Sequence, residues 1–321
     1  MPDAIRPALL VRRQLLTHCV LLLAVLTPLS SSAGQGVIEL NQTCAVETGC
    51  TSSDAPGFPI TLDTRGSYVL TSGLEVSSAD TNGIEISDDD ITLDFAGFTL
   101  AGPGNVPIAT HVCSQPGTGT GIVATGGAGG FVAKDGHVRG MGKDGIAIGA
   151  QNGRIERMIV ERNCGDAITL GVAGLVIDSQ VRANKGWGII VSTGSRVRDS
   201  VADQNGGVGI LAGAASIVTG CAATTNGLSG ISIQDLGGAP GGVIMGNSAF
   251  GNGWSIGLSG ISVPAGGIAT HNSVVANQGT GITANASAGV GLNSVAVNGG
   301  VELSGGTVVG CNALDGVKTC P

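Results

Sequence analysis

The sequence predicts an all-β fold, a single-stranded right-handed parallel β-helix of about ten coils, capped at both ends. Three observations predict it. A unit of the form Asn-x-x-x-Gly-Ile recurs about every 21 residues. The chain has 57 Gly and only 2% aromatic and 12% charged residues, yet it is 42% hydrophobic, which suits tightly stacked strands of small and β-branched residues. Paired cysteines stand near each end of the mature chain, Cys44 with Cys50 and Cys311 with Cys320.

The repeat is read from its Gly-Ile pairs. Successive units start at Gly145, Ala167, Gly188, Gly209, Gly230, Gly260 and Gly281. All steps are 21 or 22 residues except the 30 between Gly230 and Gly260. A column of Asn accompanies them: Asn163, Asn184, Asn205, Asn226, Asn252, Asn277 and Asn298. Three residues earlier lies an apolar column, Val160, Val181, Ala202, Ala223, Ala249, Val274 and Val295. Five residues earlier lies Ser179, Ser200, Cys221, Asn247, Asn272 and Asn293. Both columns alternate inward with a period of two, as strands require. Stacked identical Asn side chains can bond along the axis and satisfy polar groups at a tight turn, so the Asn column is expected to be a structural ladder.

The ends are read separately. Arg12 and Arg13, the apolar run Leu15–Leu26 and the small residues Ser31-Ser32-Ala33 form a signal peptide over residues 1–33, too short to span a bilayer. Residues 34–64 are expected to cap the N-terminal end, 65–310 to form the helix and 311–321 to cap the C-terminal end. Removing residues 1–33 takes the net charge from −8 to −10, which argues against nucleic acid or an anionic membrane as partner. Export to the periplasm, the cell surface or the medium, without a transmembrane anchor and as a monomer, is the resulting expectation.

Cys44–Cys50 and Cys311–Cys320 read as local disulfides, in keeping with an oxidising compartment. Cys221 falls in an inward column and is expected to be a buried, inert thiol. Cys164 follows Asn163 at a turn and is expected to be exposed. Cys113, in the Gly/Pro/Thr loop from Pro103 to Thr120, could reach it and pin that loop.

The stretch DDDITLDFAGFTLAGPG, Asp88 to Gly104, resembles the opening coil of secreted right-handed β-helix repeat proteins of the pectate-lyase-like superfold. The start LNQTCAVETGC and the end GCNALDGVKTCP resemble a bacterial group of them with Cys-bearing caps. The resemblance covers essentially the whole mature chain. It implies the fold, and it brings in both polysaccharide lyases, hydrolases and epimerases and non-catalytic surface proteins; a shared fold does not choose among them.

The search for chemistry favours the non-catalytic side. The residue sets of polygalacturonases and the Asp-Pro-His-Asp signature of mannuronan epimerases are absent. Asp88-Asp89-Asp90 reads as a solvated turn. From Gln204 onward the only charged residues are Asp235, Glu302, Asp315 and Lys318, so a polar site belongs on coils 134–203. There Asp144 and Asp166 precede two successive strands and should stack about 4.8 Å apart. The sharp reading is a cation or sugar site of Asp144, Asp166, Lys143, Arg139 and His137, with Ca²⁺ as the cation. The plainer reading, favoured here, is a solvated pair at a turn, with no catalytic residue, metal or cofactor. Glu161, Arg182 and Asp203 form an alternating charge column, read as a cross-strand ladder. Trp187 and Trp254 follow ladder Asn residues at turns and are sparse for a carbohydrate groove. The outward row Ala147, Thr169, Ile190, Leu211, Ser232, Ser262 and Thr283 is small and mildly apolar. The expected function is therefore a structural or surface-binding role toward extracellular polysaccharide or the cell envelope. The alternative is a lyase, hydrolase or epimerase acting on an acidic polysaccharide.

Overall fold

The computed structural model describes residues 36–124, 127–234 and 241–321. The expected signal peptide lies outside the described residues. The chain winds into a parallel β-solenoid of about eleven coils. Each coil contributes one strand to each of three parallel sheets.

The first sheet holds the Gly-Ile units. Ile146, Ile168, Ile189 and Ile210 stack in register, followed by Ile231, Ile261 and Ile282. Every one of them is fully buried. The second sheet turns Ile155, Val176, Val197 and Val218 inward, and the third turns in Val160, Val181, Ala202 and Ala223. The apolar column read from the sequence is thus the inner face of the third sheet. Larger side chains fill the early coils, where Tyr68, Phe95 and Phe131 are buried.

The Asn column sits at the turn from the third sheet back to the first. Asn184 Oδ1 accepts from the Asn163 backbone N–H at 3.0 Å and from its Nδ2 at 2.9 Å. The same pair of bonds links Asn184 to Asn205, Asn205 to Asn226, Asn226 to Asn252, Asn252 to Asn277 and Asn277 to Asn298. Each ladder Asn through Asn277 is buried. The second polar column forms a ladder of its own at the bend between the second and third sheets. Ser200 Oγ accepts from the Ser179 N–H, and Asn272 Oδ1 accepts from both the N–H and Nδ2 of Asn247. The residue before each step is left-handed, as at Asp178, Asp199, Gly220 and Gly246, which closes a sharp bend.

The long repeat from Gly230 to Gly260 differs from its expected form. The step of 30 reads as an excursion from the coil. Instead that step contains the regular strands Gly242–Met245 and Ser248–Phe250, paired like their neighbours. Residues 235–240 lie outside the described residues. The remaining extra length falls in the turn 253–259, after the second of these strands. A solenoid absorbs insertions at its turns, because the coil-to-coil pairing of each strand leaves no room for an extra residue.

A disulfide lies near each end, Cys44–Cys50 and Cys311–Cys320. At the first end the Gln42 side chain bonds both the N–H and the carbonyl of Glu75, on an early strand of the third sheet. At the other end Asn312–Leu314 and Val317–Thr319 close an antiparallel hairpin.

Candidate functional site

Most charges of the early coils neutralise one another. On the second sheet Asp94, Lys134 and Glu156 occupy one outward row. Lys134 Nζ lies 2.5 Å from Asp94 and 3.5 Å from Asp135. Arg157 donates to both carboxylate oxygens of Asp135, at 2.6 and 2.8 Å, and to Glu156 at 3.1 Å. Arg154 also pairs with Glu156. The Asp94 carboxylate holds the Lys134 ammonium above its usual range, and the Arg157 guanidinium holds the Asp135 carboxyl below its own. On the third sheet Glu161, Arg182 and Asp203 stand in register, and Arg182 lies 3.3 Å from Asp203.

Arg139, Arg162 and Arg196 make no ion pair among the described residues, and the first two lie together. Arg139 ends the strand Val132–Arg139 on the third sheet, and Arg162 is the left-handed residue that opens the following turn one coil on. Both are exposed and make no ion pair among the described residues. They line one groove of about 620 Å³ with Glu75, Gln42 and the segment Gly102–Asn105. That segment is held by Arg139 and Gly140, whose carbonyls accept from the N–H groups of Gly102 and Gly104. Glu75 is the one carboxylate among the groove's lining residues described. Guanidiniums carry planar forks of N–H donors, which match planar anions such as carboxylates in geometry.

The residues singled out from the sequence divide between three places. Arg139 lies in the groove. His137 is on the same strand two residues earlier, in register with Thr99 and Ile159, and is not among the groove's lining residues. Lys143, Asp144 and Asp166 belong to the turn beyond. There Asp144 Oδ1 accepts from the Asp166 N–H at 2.8 Å, and Asp166 Oδ1 accepts from the Trp187 N–H at 2.7 Å. Lys143 Nζ sits 3.4 Å from Asp144. The carboxylates therefore tie coil to coil as the ladder amides do, but they accept from the following coil where the amide oxygens accept from the preceding one. Among the described residues no cluster of three or more His, Cys, Asp or Glu could hold a metal ion. Arg162, Glu75 and Gln42 were missed. The period already puts Arg162 one position past Glu161, the residue in register with Arg139, but nothing in the repeat says that 102–105 walls off a groove there.

Burial raises the Asp166 pKa, the Asp144 charge adds to the rise, and the Trp187 N–H and Lys143 oppose it. A raised carboxyl pKa means the folded chain holds this proton more tightly than the unfolded one. The stability it contributes is present at low pH and is lost as pH rises from 3.8 through the folded value. Asp166→Asn keeps the acceptor and removes the charge. It is expected to raise Tm at pH 7, with no gain at pH 3. Asp166→Ala leaves the Trp187 N–H without its acceptor and is expected to lose about 1–2 kcal/mol. Thermal melts of both variants at the two pH values check this.

Cys164 corrects an expectation. It is buried rather than exposed, because it is bonded to Cys113 and packs with Val106 in a small apolar cluster of its own. The expected bridge thus pins the loop beside the groove. Cys221 is buried, and burial pushes its thiol up to about 12, which makes it inert.

Comparison with known proteins agrees with this architecture. Residues 121–307 match the family described as "Right handed beta helix region". No curated relative matches the chain by sequence. Among solved structures, the A-module of the mannuronan C-5 epimerase AlgE4 of Azotobacter vinelandii is similar at 14% identity and a TM-score of 0.51, over 86% of this chain and 87% of that one. A double mutant of the periplasmic alginate epimerase AlgG is similar at 13% identity and a TM-score of 0.51, over 86% of this chain and 71% of that one. At such identities the likeness is one of fold. Among the described residues no helix is long and apolar enough to cross a membrane.

Proposed function

Since the chain belongs to the right-handed β-helix family, we propose that it is an exported, non-catalytic protein that binds an acidic polysaccharide in the groove of Arg139 and Arg162. One observation carries the reading: two exposed guanidiniums without carboxylate partners among the described residues share a groove, on coils where most other charges are neutralised. Guanidinium forks match carboxylates in geometry, and a uronate polymer offers one carboxylate per sugar. Glu75 is placed to accept from sugar hydroxyls and to repel a misplaced carboxylate. Three disulfides support an oxidising compartment outside the cytoplasm.

The test is calorimetric titration with polygalacturonate and polymannuronate oligomers, with neutral dextran as control. Arg139→Ala combined with Arg162→Ala is expected to weaken uronate binding at least about 100-fold, as the loss of two charge-assisted contacts of about 1.5 kcal/mol or more each requires. Dextran should not bind. Unchanged affinity in the double variant overturns the reading. The alternative, a lyase or epimerase, draws on the presence of Glu75 as a candidate base beside two charge neutralisers. Absorbance of unsaturated products, reducing ends and sugar epimer ratios are expected to stay constant on incubation. Turnover abolished by Glu75→Gln would replace binding with catalysis.

A further inference from the structure

The turn that absorbs the last part of the extra length of the long repeat carries Trp254. Its indole Nε1 donates to the Thr225 carbonyl at 3.0 Å. Its ring lies against Gly227, where an added Cβ would stand 3.2 Å from it. It also meets the imidazole of His111, with centroids 4.8 Å apart and planes inclined by 31°. The rest of the residue is open, since Trp254 is 46% exposed. A large aromatic anchored at its N–H, at Gly227 and against His111 yet almost half exposed is unusual in a chain this poor in aromatics.

His111 comes from far away in sequence. It sits near the tip of the loop whose base, Gly102–Asn105, walls the groove of Arg139 and Arg162. Two residues after it, Cys113 is bonded to Cys164, in the turn that Arg162 opens. The imidazole Nδ1 is buried and has no hydrogen-bond partner. Burial pushes its pKa down, so the ring meets the indole in its neutral form. One loop therefore touches both the cationic groove and the tryptophan.

The solenoid fixes how the two are spaced. Arg162, Ala183, Gln204 and Thr225 are successive left-handed residues of one column, at the corner where the third sheet ends. Arg162 opens one end of this column, and Trp254 is bonded to the Thr225 carbonyl at the other. Three coil rises of about 4.8 Å separate them by about 14 Å along the axis. In the column between them Ala183 is fully buried and so is no contact surface, and Gln204 is half-buried and accepts from the Arg182 guanidinium.

We propose that Trp254 is a second, aromatic subsite for the same glycan, stacking on the C–H face of a pyranose ring, so that the polymer lies along the solenoid axis from Arg139 and Arg162 to Trp254. The proposal rests on the groove reading above. It adds a direction and a minimum length to it. A disaccharide fills only the cationic end, whereas an octasaccharide spans both.

The chain has 2 Trp, so Trp187→Phe leaves Trp254 as the sole indole reporter. In that background, octagalacturonate is expected to shift and quench the emission, and digalacturonate to leave it unchanged. By calorimetry, Trp254→Ala is expected to weaken octagalacturonate about tenfold, the loss of one stacked aromatic, with digalacturonate unaffected. Trp254→Phe should recover part of that loss, which separates stacking from a folding defect. An indole silent to the octamer, together with unchanged octamer affinity in Trp254→Ala, overturns this subsite. If Arg139→Ala with Arg162→Ala still abolishes binding, the groove reading survives that result. Failure of the native protein to bind either oligomer overturns both.

Discussion

Asn184→Ala is expected to destabilise the protein by about 3–5 kcal/mol, because several buried hydrogen bonds worth about 1 kcal/mol each are lost together and their partners are left unsatisfied. Asn184 is fully buried in the middle of the ladder. Its Oδ1 accepts two bonds from Asn163, and its Nδ2 donates to Asn205 and to the carbonyls of Val160 and Arg182. Alanine removes all of these and brings no water to replace them. Asn298 at the column's end is a natural control: it accepts the same two bonds from Asn277, but it is only partly buried, and on its outer side it donates to Glu302 in place of a further Asn. Its replacement by Ala should cost markedly less. Urea unfolding of the two variants measures the difference, and equal losses would mean that the ladder does not act as a cooperative column.

Gly209→Val is expected to cost about 3 kcal/mol, combining overpacking with the disruption of a ladder step. An added Cβ at Gly209 would stand 2.6 Å from Asn226 Nδ2 and 2.7 Å from the Gly230 carbonyl. The same two neighbours, one coil on, crowd Gly230 at 2.6 and 2.7 Å. The glycine of the Gly-Ile unit is thus required by close approach, since its backbone φ is not in the left-handed region. Ala167 occupies this column naturally, so the coil can yield to one methyl group. Gly209→Ala should therefore be mild and Gly209→Val severe. Thermal melting of the pair tests the steric account, and a Val variant as stable as the Ala variant would remove it.

How much was legible follows from how each feature is specified. The Asn column, the inward Val/Ala column and the buried thiol of Cys221 could all be read, because each depends on position modulo a coil. The Cys113–Cys164 bridge was read from the odd cysteines left over and the reach of the loop, not from the period. The second amide ladder could have been read the same way, since Asn247, Asn272 and Asn293 recur at the ladder's own spacing. The burial of Cys164 could not. It depends on Val106 folding over the turn, and no period governs that loop. Likewise the charge-rich interval 134–203 was visible, but not that Lys134, Asp135, Glu156 and Arg157 would pair among themselves and leave Arg139 and Arg162 free of ion pairs.

The sequence by itself determined the coil, its register and the residues that hold one coil on the next, because a parallel solenoid repeats one local geometry and every repeat states it again. Only the tertiary structure decided where the non-repeating parts lie. The path of 102–114 places a wall beside Arg139, Val106 over Cys164 and an imidazole against Trp254, some 140 residues away in the chain. Those contacts arise once, between segments that no periodicity relates, and loop closure over such separations leaves no trace in local pattern.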